Sequence, residues 1–400
     1  MMLEEGIGED LEGLLGAMLG TSLPSKHLEM QQIAREFADE VLIPAADEHD
    51  RTETYPANSV DRLAKLGFMG ILTPARFGGK EMGNLALSLA LEEINRGCAS
   101  TGVTVSVHNS LLSSPLLHFG TEEQQARFFP QLASGEHLGA YAITEPDHGS
   151  DAAAIETTCR REGDEWVLNG TKAWITNGSH ADIIVTFATM DPSLRARGIN
   201  AFVVEKTMPG FSVGKKEKKL GIRGSDTVQL VFDEMRVPAQ NLLGDEGAGF
   251  KIAMHTLDGG RIGIATQANG IAQACLDETI HFSENHQMFG RKLADNQLIS
   301  HKIAEIATRL EGARLLTRRA AILKDLGKPH SREASMAKLS ASEIANDAAR
   351  MALEVHGGAG IGRKSSVERL FRDAKITEIY EGTSQIQRLV ISRHVRPVRG

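Results

Sequence analysis

Apolar residues at Ile303, Ile306, Leu310, Ala313, Leu316, Ala320 and Leu323 recur every three or four positions for about six turns, the spacing that lines one face of an α-helix. Gly327, Lys328 and Pro329 then halt it, glycine because it accepts the left-handed backbone that ends helices and proline because it lacks an N–H. The pattern predicts a long bundle helix. Ten of the twelve prolines fall between Pro24 and Pro238, and only Pro329 interrupts 239–396, so a long-helical C-terminal half follows. Residues 25–138 also read as helices, shorter ones punctuated by Pro44, Pro56, Pro74, Gly78-Gly79 and Pro130.

Between the helical regions the period changes. Glu165–Thr176 reads as two short strands about an Asn169-Gly170 turn. Asp182–Thr189, Asn200–Glu205, Phe211–Lys215 and Thr227–Val237 are further β-branched or alternating runs, suited to a small antiparallel barrel or sandwich. The expected organisation is an α+β multidomain chain. A tail covers 1–24, a helical domain 25–138, a β domain 139–250 and a helical bundle 251–400. Leu3, Ile7, Leu11, Leu14 and Met18 keep a helical spacing in the tail, but five glycines there weaken it, and a frayed segment is expected.

Charge and composition exclude several classes of function. Lys and Arg number 44 against 52 Asp and Glu, a net charge of −8 that offers no general attraction to a phosphate backbone, so no nucleic acid partner is expected. No stretch approaches the ~20 apolar residues of a membrane span. Cys98, Cys159 and Cys275 are far apart, without zinc or disulfide spacing, and the histidines show no ligand pair, so no metal site is expected. The acidic N-terminus has no Lys or Arg before Lys26, which reads as a mature, cytoplasmic start.

No Walker loop is present. Gly357-Gly-Ala-Gly-Ile-Gly362 looks like a phosphate cradle but follows a helix and lacks the spacing of a dinucleotide fingerprint. The run Lys215, Lys216, Lys218, Lys219 reads as a solvated hairpin, and His281 and His286 as helix-surface residues. Three segments carry more information. Tyr141–Asp151 sets hydroxyls, a proline turn and a glycine at the entrance to the β region. In Trp174-Ile-Thr-Asn-Gly178, the Trp174 ring and Thr176 hydroxyl share one strand face; they suit a flavin, but the segment by itself favours a core tryptophan beside a strand threonine. In Ile379–Arg388, Ser384 and Gln387 form a capping box, leaving Glu381 on a turn before a helix N-terminus. A carboxylate there is either a reactive group beside free N–H donors or a surface glutamate favoured by the helix dipole.

Together with Asp258–Ala265 and Arg372-Asp-Ala-Lys375, these segments resemble the acyl-CoA dehydrogenase family from about residue 25 to 396. Gly249–Met254, Lys219–Ser225 and Val105–Leu111 are most similar to its short-chain, butyryl-CoA branch. The resemblance implies a helical N-terminal domain, a central β domain and a four-helix bundle that drives assembly of a homotetramer. It implies FAD as cofactor, contacted by Tyr141, Ile143, Thr144, Trp174 and Thr176, with Ser150 shared between FAD and the CoA arm. Further FAD positions would be His286, Phe289, Gln297, Glu354, Gly357, Gly358, Thr383 and Gln385. Substrate would meet Asp258, Arg261, Tyr380 and Gly382.

Glu381 matches the family's base. It would take the α-proton of the thioester while its own N–H and an FAD hydroxyl hold the forming enolate, and burial should raise its pKa. The product would be a trans-2-enoyl-CoA, with electrons passed to electron transfer flavoprotein. Some branches place the base at position 260, where Gly260 cannot serve. His286 and Glu354 replace the usual arginine and glutamine and are expected to pair, weakening FAD retention. Asp147-His148 stand where small residues are usual. Short branched or cyclic acyl groups, an acyl-CoA oxidase and a non-enzymatic scaffold are the rival readings.

Overall fold

A computed structural model describes Gly13, Gly16 and residues 22–396. The helical spacing noted between Leu3 and Met18 lies outside the described residues. The first region holds α1 (Ser25–Phe37), α2 (Ile43–Thr52), α3 (Ala57–Lys65), α4 (Gly83–Gly97), α5 (Ala99–Ser106), α6 (Ser114–Phe119) and α7 (Glu122–Ser134). A wide π-type turn, Val107–Ser113, joins α5 to α6. α7 starts at a capping box in which the Thr121 side chain accepts from the Gln124 N–H and the Gln124 side chain accepts from the Thr121 N–H.

The central region is one eight-stranded sheet: β1 (Gly139–Ala142), β2 (Thr158–Glu162), β3 (Glu165–Thr176), β4 (Ile183–Thr189), β5 (Ile199–Glu205), β6 (Phe211–Lys216), β7 (Thr227–Pro238) and β8 (Leu242–Leu243). Its order is β6-β7-β3-β2-β4-β5-β8, with β1 added beside β4. The pairings are antiparallel except β1–β4 and β2–β4, which are parallel. Residues 143–157 separate β1 from β2, so no hairpin forces those strands into opposite directions.

Glu165–Thr176 is one twelve-residue strand rather than two. Asn169-Gly170 makes a bulge, because the Asn169 amide is spent on the neighbouring strand. It accepts the Glu234 N–H at 2.8 Å and donates to the Glu234 carboxylate at 2.6 Å, and the β7 register shifts between Leu168 and Gly170.

The last region is helical: α8 (Gly249–Asn285), a small hairpin of β9 (Gln287–Met288) and β10 (Arg291–Lys292), α9 (Gln297–Asp325), α10 (Ser331–His356), α11 (Gly358–Ile361), α12 (Ser366–Ile376) and α13 (Ser384–Val395). The predicted 303–323 face lies in α9, and Gly327 follows it with φ +63°. Small buried residues let α8 and α10 approach closely: Ala265, Ala268 and Ala272 on one helix, Ala334, Ala337, Ala341 and Ala345 on the other. Among the described residues no helix is long and apolar enough to cross a membrane.

Candidate active site

A cleft of about 530 Å³ opens where the three regions meet. β1 and β3 supply Tyr141, Trp174 and Thr176, with Ile143, Thr144 and Ser150 following β1. The α5 end and the π-turn supply Ser106, Ser110 and Leu111, and α8 supplies Gly260 and Ile264. The turn between α12 and α13 closes it with Tyr380, Glu381, Gly382 and Thr383.

Glu381 is the only carboxylate on this cleft among the described residues. The residue is half-buried, yet its Oε2 is shut off from solvent and has no hydrogen-bond partner. Loss of hydration pushes the carboxyl up to about 7, against the downward pull of Arg261 and Lys338. Gly260 is its seat, since a Cβ there would fall well under 3.0 Å from Glu381 Oε2 and 2.8 Å from Leu111 Cδ2. The Glu381 N–H is used by no hydrogen bond among the described residues.

The turn that carries Glu381 is strained and braced. Glu381 has φ +52°, a conformation that costs a non-glycine residue about 1 kcal/mol or more. Gln387 donates its amide to the Glu381 carbonyl at 3.0 Å and the Gly382 carbonyl at 2.8 Å, and Lys338 from α10 donates to Gly382 at 2.8 Å. The final helix is therefore capped one residue earlier than expected. Thr383 accepts the Ile386 N–H, Ser384 is already helical, and no Ser384–Gln387 box forms because Gln387 is turned back onto the loop.

Trp174 and Ile222 also border the cleft with positive φ, at +61° and +43°. Trp174 is 56% exposed, whereas Trp166 is the core tryptophan at 2%. The core reading of Trp174 is thus excluded: its bulged backbone turns the ring out of β3, and the register against β7 shifts between Lys172 and Ile175.

Behind this wall lies a buried ion pair. Lys172 meets Glu145 at 2.7 Å, both carried by cleft-forming segments, and Glu145 also accepts the Glu156 and Thr157 N–H groups. The Glu145 carboxyl is held below its ordinary value, chiefly by Lys172 against the opposing effect of burial. His148 closes a tight turn back to Glu145 and lies 3.4 Å from Glu156, giving the Asp147-His148 departure a local role.

Lys218 and Lys219 border the cleft, so the basic run is not simply a solvated hairpin. β6 ends at Lys216, and Lys219 bends inward to donate to the Ser225 carbonyl at 2.7 Å. Asp258 and Arg261 pair one turn apart on α8, with Ser331 donating to Asp258 at 2.9 Å; neither borders the cleft.

His286, Phe289, Gln297, Glu354, Gly357, Gly358 and Gln385 do not border this cleft either. Phe289 stands 91% exposed at the tip of the β9–β10 hairpin. The expected His286–Glu354 pair is not formed. Glu354 is held by Lys302 at 2.5 Å and Arg350 at 2.6 Å, while His286 stacks on Phe282. Lys338, Glu145 and Lys172 were not singled out in the sequence, and Gln387 was read there only as a capping residue. A lysine on the alanine face of α10 was the one available signal.

Residues 24–136 match the family described as acyl-CoA dehydrogenase, N-terminal domain, residues 140–235 its middle domain and residues 247–396 its C-terminal domain. The chain belongs to the acyl-CoA dehydrogenase family. The short-chain specific acyl-CoA dehydrogenase, mitochondrial, of Bos taurus is 51% identical over 93% of this chain and 90% of its own. Butyryl-CoA dehydrogenase from Megasphaera elsdenii superposes with a TM-score of 0.92 at 41% identity, covering 94% of this chain and 99% of that one. A chain in a structure of the electron transferring flavoprotein of Acidaminococcus fermentans gives 0.93 at 43% identity, covering 95% and 99%.

Acyl-CoA dehydrogenases are FAD-dependent. The residues present fit a flavin. The Tyr141 hydroxyl is buried on the cleft wall without a partner, Thr144 and Thr176 add hydroxyls, and Trp174 offers an exposed aromatic face.

Proposed function

We propose that this acyl-CoA dehydrogenase converts a short-chain acyl-CoA to the trans-2-enoyl-CoA, Glu381 taking the α-proton, and that its electrons pass to an electron transfer flavoprotein. The observation that carries this reading is Glu381: the one carboxylate on the cleft among the described residues, its Oε2 buried, unbonded and poised to titrate near neutrality. A thioester α-proton is too weakly acidic for an ordinary carboxylate, so the carbonyl must be polarised as the proton leaves. The Glu381 N–H is the chain's donor for that oxygen.

FAD, when bound, supplies the acceptor for the hydride leaving the β-carbon. Tyr141, Ile143, Thr144, Trp174, Thr176 and Thr383 would hold the flavin end, and Ser150 both FAD and the CoA arm. Tyr380 and Gly382 would meet substrate at the loop, with Asp258 and Arg261 behind it. Phe289, His286, Gln297, Glu354, Gly357, Gly358 and Gln385 would serve the cofactor of a neighbouring copy in a homotetramer, which accords with none of them bordering this chain's own cleft. Buried, unpaired Cys98, Cys159 and Cys275 suit a reducing, cytoplasmic setting.

Depth favours a short acyl chain. α5 and the π-turn run against α8, placing Leu111 at Gly260, Ser106 at Gly263 and the Ala99 carbonyl at Gln267, which it accepts from at 3.1 Å. A Cβ at Gly263 would reach Ser106 Oγ at 2.5 Å, so the helices pinch together ~5 Å beyond the seat of Glu381. About two turns along, the Tyr380 hydroxyl donates to Gln267, which does not border the cleft. The test is kcat/KM with butyryl-, hexanoyl- and octanoyl-CoA and an artificial electron acceptor. Butyryl-CoA should lead and octanoyl-CoA trail by at least tenfold; equal values contradict the short chain, and preference for a branched or cyclic ester reassigns the acyl group.

A further inference from the structure

Lys338 lies in the middle of α10, on the face made by Ala334, Ala337, Ala341 and Ala345, and is wholly shut off from solvent. Its ammonium donates to one acceptor, the Gly382 carbonyl at 2.8 Å. No carboxylate stands within ion-pair distance of it among the described residues. The two whose charge it feels are Glu381 and Glu378, and Glu378 is already tied to Lys375 at 2.5 Å. Burying an unmatched ammonium is costly, so its persistence here needs a reason.

The groups facing Glu381 are few. Arg261 comes from α8, Lys338 from α10, Tyr141 from β1 and Tyr380 from the same turn. Arg261 is matched by Asp258, and the two phenols are held neutral by burial. Lys338 alone has no carboxylate of its own.

We propose that Lys338 is a positioning residue for Glu381: it anchors the strained turn through the Gly382 carbonyl, and its charge keeps Glu381 in the carboxylate form that accepts a proton. This rests on the reading of Glu381 as base. The two roles come apart on substitution. Arginine keeps the charge, glutamine keeps only a donor, and methionine keeps neither. Burial brings both partners towards neutrality, Glu381 up to about 7 and Lys338 down to about 8, so removal of the cation raises the Glu381 midpoint further.

The experiment titrates the Glu381 carboxyl in the FAD-loaded enzyme without substrate, by the infrared carboxylic-acid band that is absent from Glu381→Gln. The acid limb of kcat with butyryl-CoA is measured in parallel. The midpoint should rise by about one unit in Lys338→Met and Lys338→Gln and stay near wild type in Lys338→Arg. At pH 7 that leaves about one tenth of the base ionised instead of one half, a loss of about fivefold in kcat that is recovered at higher pH in Lys338→Gln. Lys338→Met should fall further and not recover. If the methionine variant does not fold, the glutamine variant decides. An unmoved midpoint in a folded neutral variant overturns the proposal. Failure of Glu381 as base shows separately, as undiminished turnover in Glu381→Gln.

Discussion

Gly260→Ala tests the seat of the base without touching the base. The added methyl would lie well under 3.0 Å from Glu381 Oε2 and 2.8 Å from Leu111 Cδ2. Both neighbours are ends of flexible side chains, so the helix accommodates the methyl by moving them, and the atom that moves most is the reactive oxygen. Stability therefore changes little: crowding costs ~1–3 kcal/mol, and replacing a mid-helix glycine returns ~1 kcal/mol. Catalysis changes much, because displacing a reacting group by ~1 Å costs about 100-fold, or ~2.7 kcal/mol of transition-state stabilisation. The assay pairs a urea melt and FAD content with single-turnover reduction by butyryl-CoA. A folded, FAD-loaded variant reduced at the wild-type rate refutes the placement of Glu381 against Gly260.

Three further outcomes follow from the same geometry. Glu381 is raised from an ordinary 4.5 to about 7, so its burial costs nothing below about 4.5, an increasing amount between those values and the full amount above 7. Glu381→Gln should therefore be more stable than wild type by up to about 3 kcal/mol at pH 8 and indistinguishable near pH 4; equal urea midpoints at pH 8 contradict this. Lys172→Met leaves the Glu145 carboxylate buried without its cation and should cost ~3–5 kcal/mol in the urea melt, much of it restored by adding Glu145→Leu. Trp174→Ala, at an exposed residue, should leave the FAD-free melt within ~0.5 kcal/mol but raise the Kd for FAD at least tenfold in a fluorescence titration. A change confined to the melt would return Trp174 to a structural role.

Side-chain periodicity carried much of the architecture. The apolar face of α9, the proline-poor α8 and α10 and the alternating strands are written as hydrophobic spacing, because burial on one face requires it. Glu381, Trp174, Thr176 and Tyr141 were also visible, as chemistry placed at the ends of elements. Local signals misled where a side chain's partner is remote. Asn169-Gly170 has turn residues, but Glu234, 65 residues away, draws its amide into a bulge. Gln387 has the spacing of a capping residue, but the loop carbonyls claim it. The positive φ of Trp174, Ile222 and Glu381 has no residue-type signature, since none is glycine; packing imposes it. The Lys172–Glu145 pair spans 27 positions and the Lys338–Gly382 bond 44, so only the folded chain reveals them.

Removal of the α-proton of a short acyl thioester by Glu381, in a cleft that holds FAD, is the step proposed for this enzyme. Its most direct test is anaerobic mixing of the FAD-loaded protein with butyryl-CoA, following the flavin absorbance near ~450 nm in wild type and in Glu381→Gln. Wild type should bleach within the mixing experiment, while Glu381→Gln should bind the thioester and stay yellow; bleaching of both at similar rates would contradict the assignment of the base.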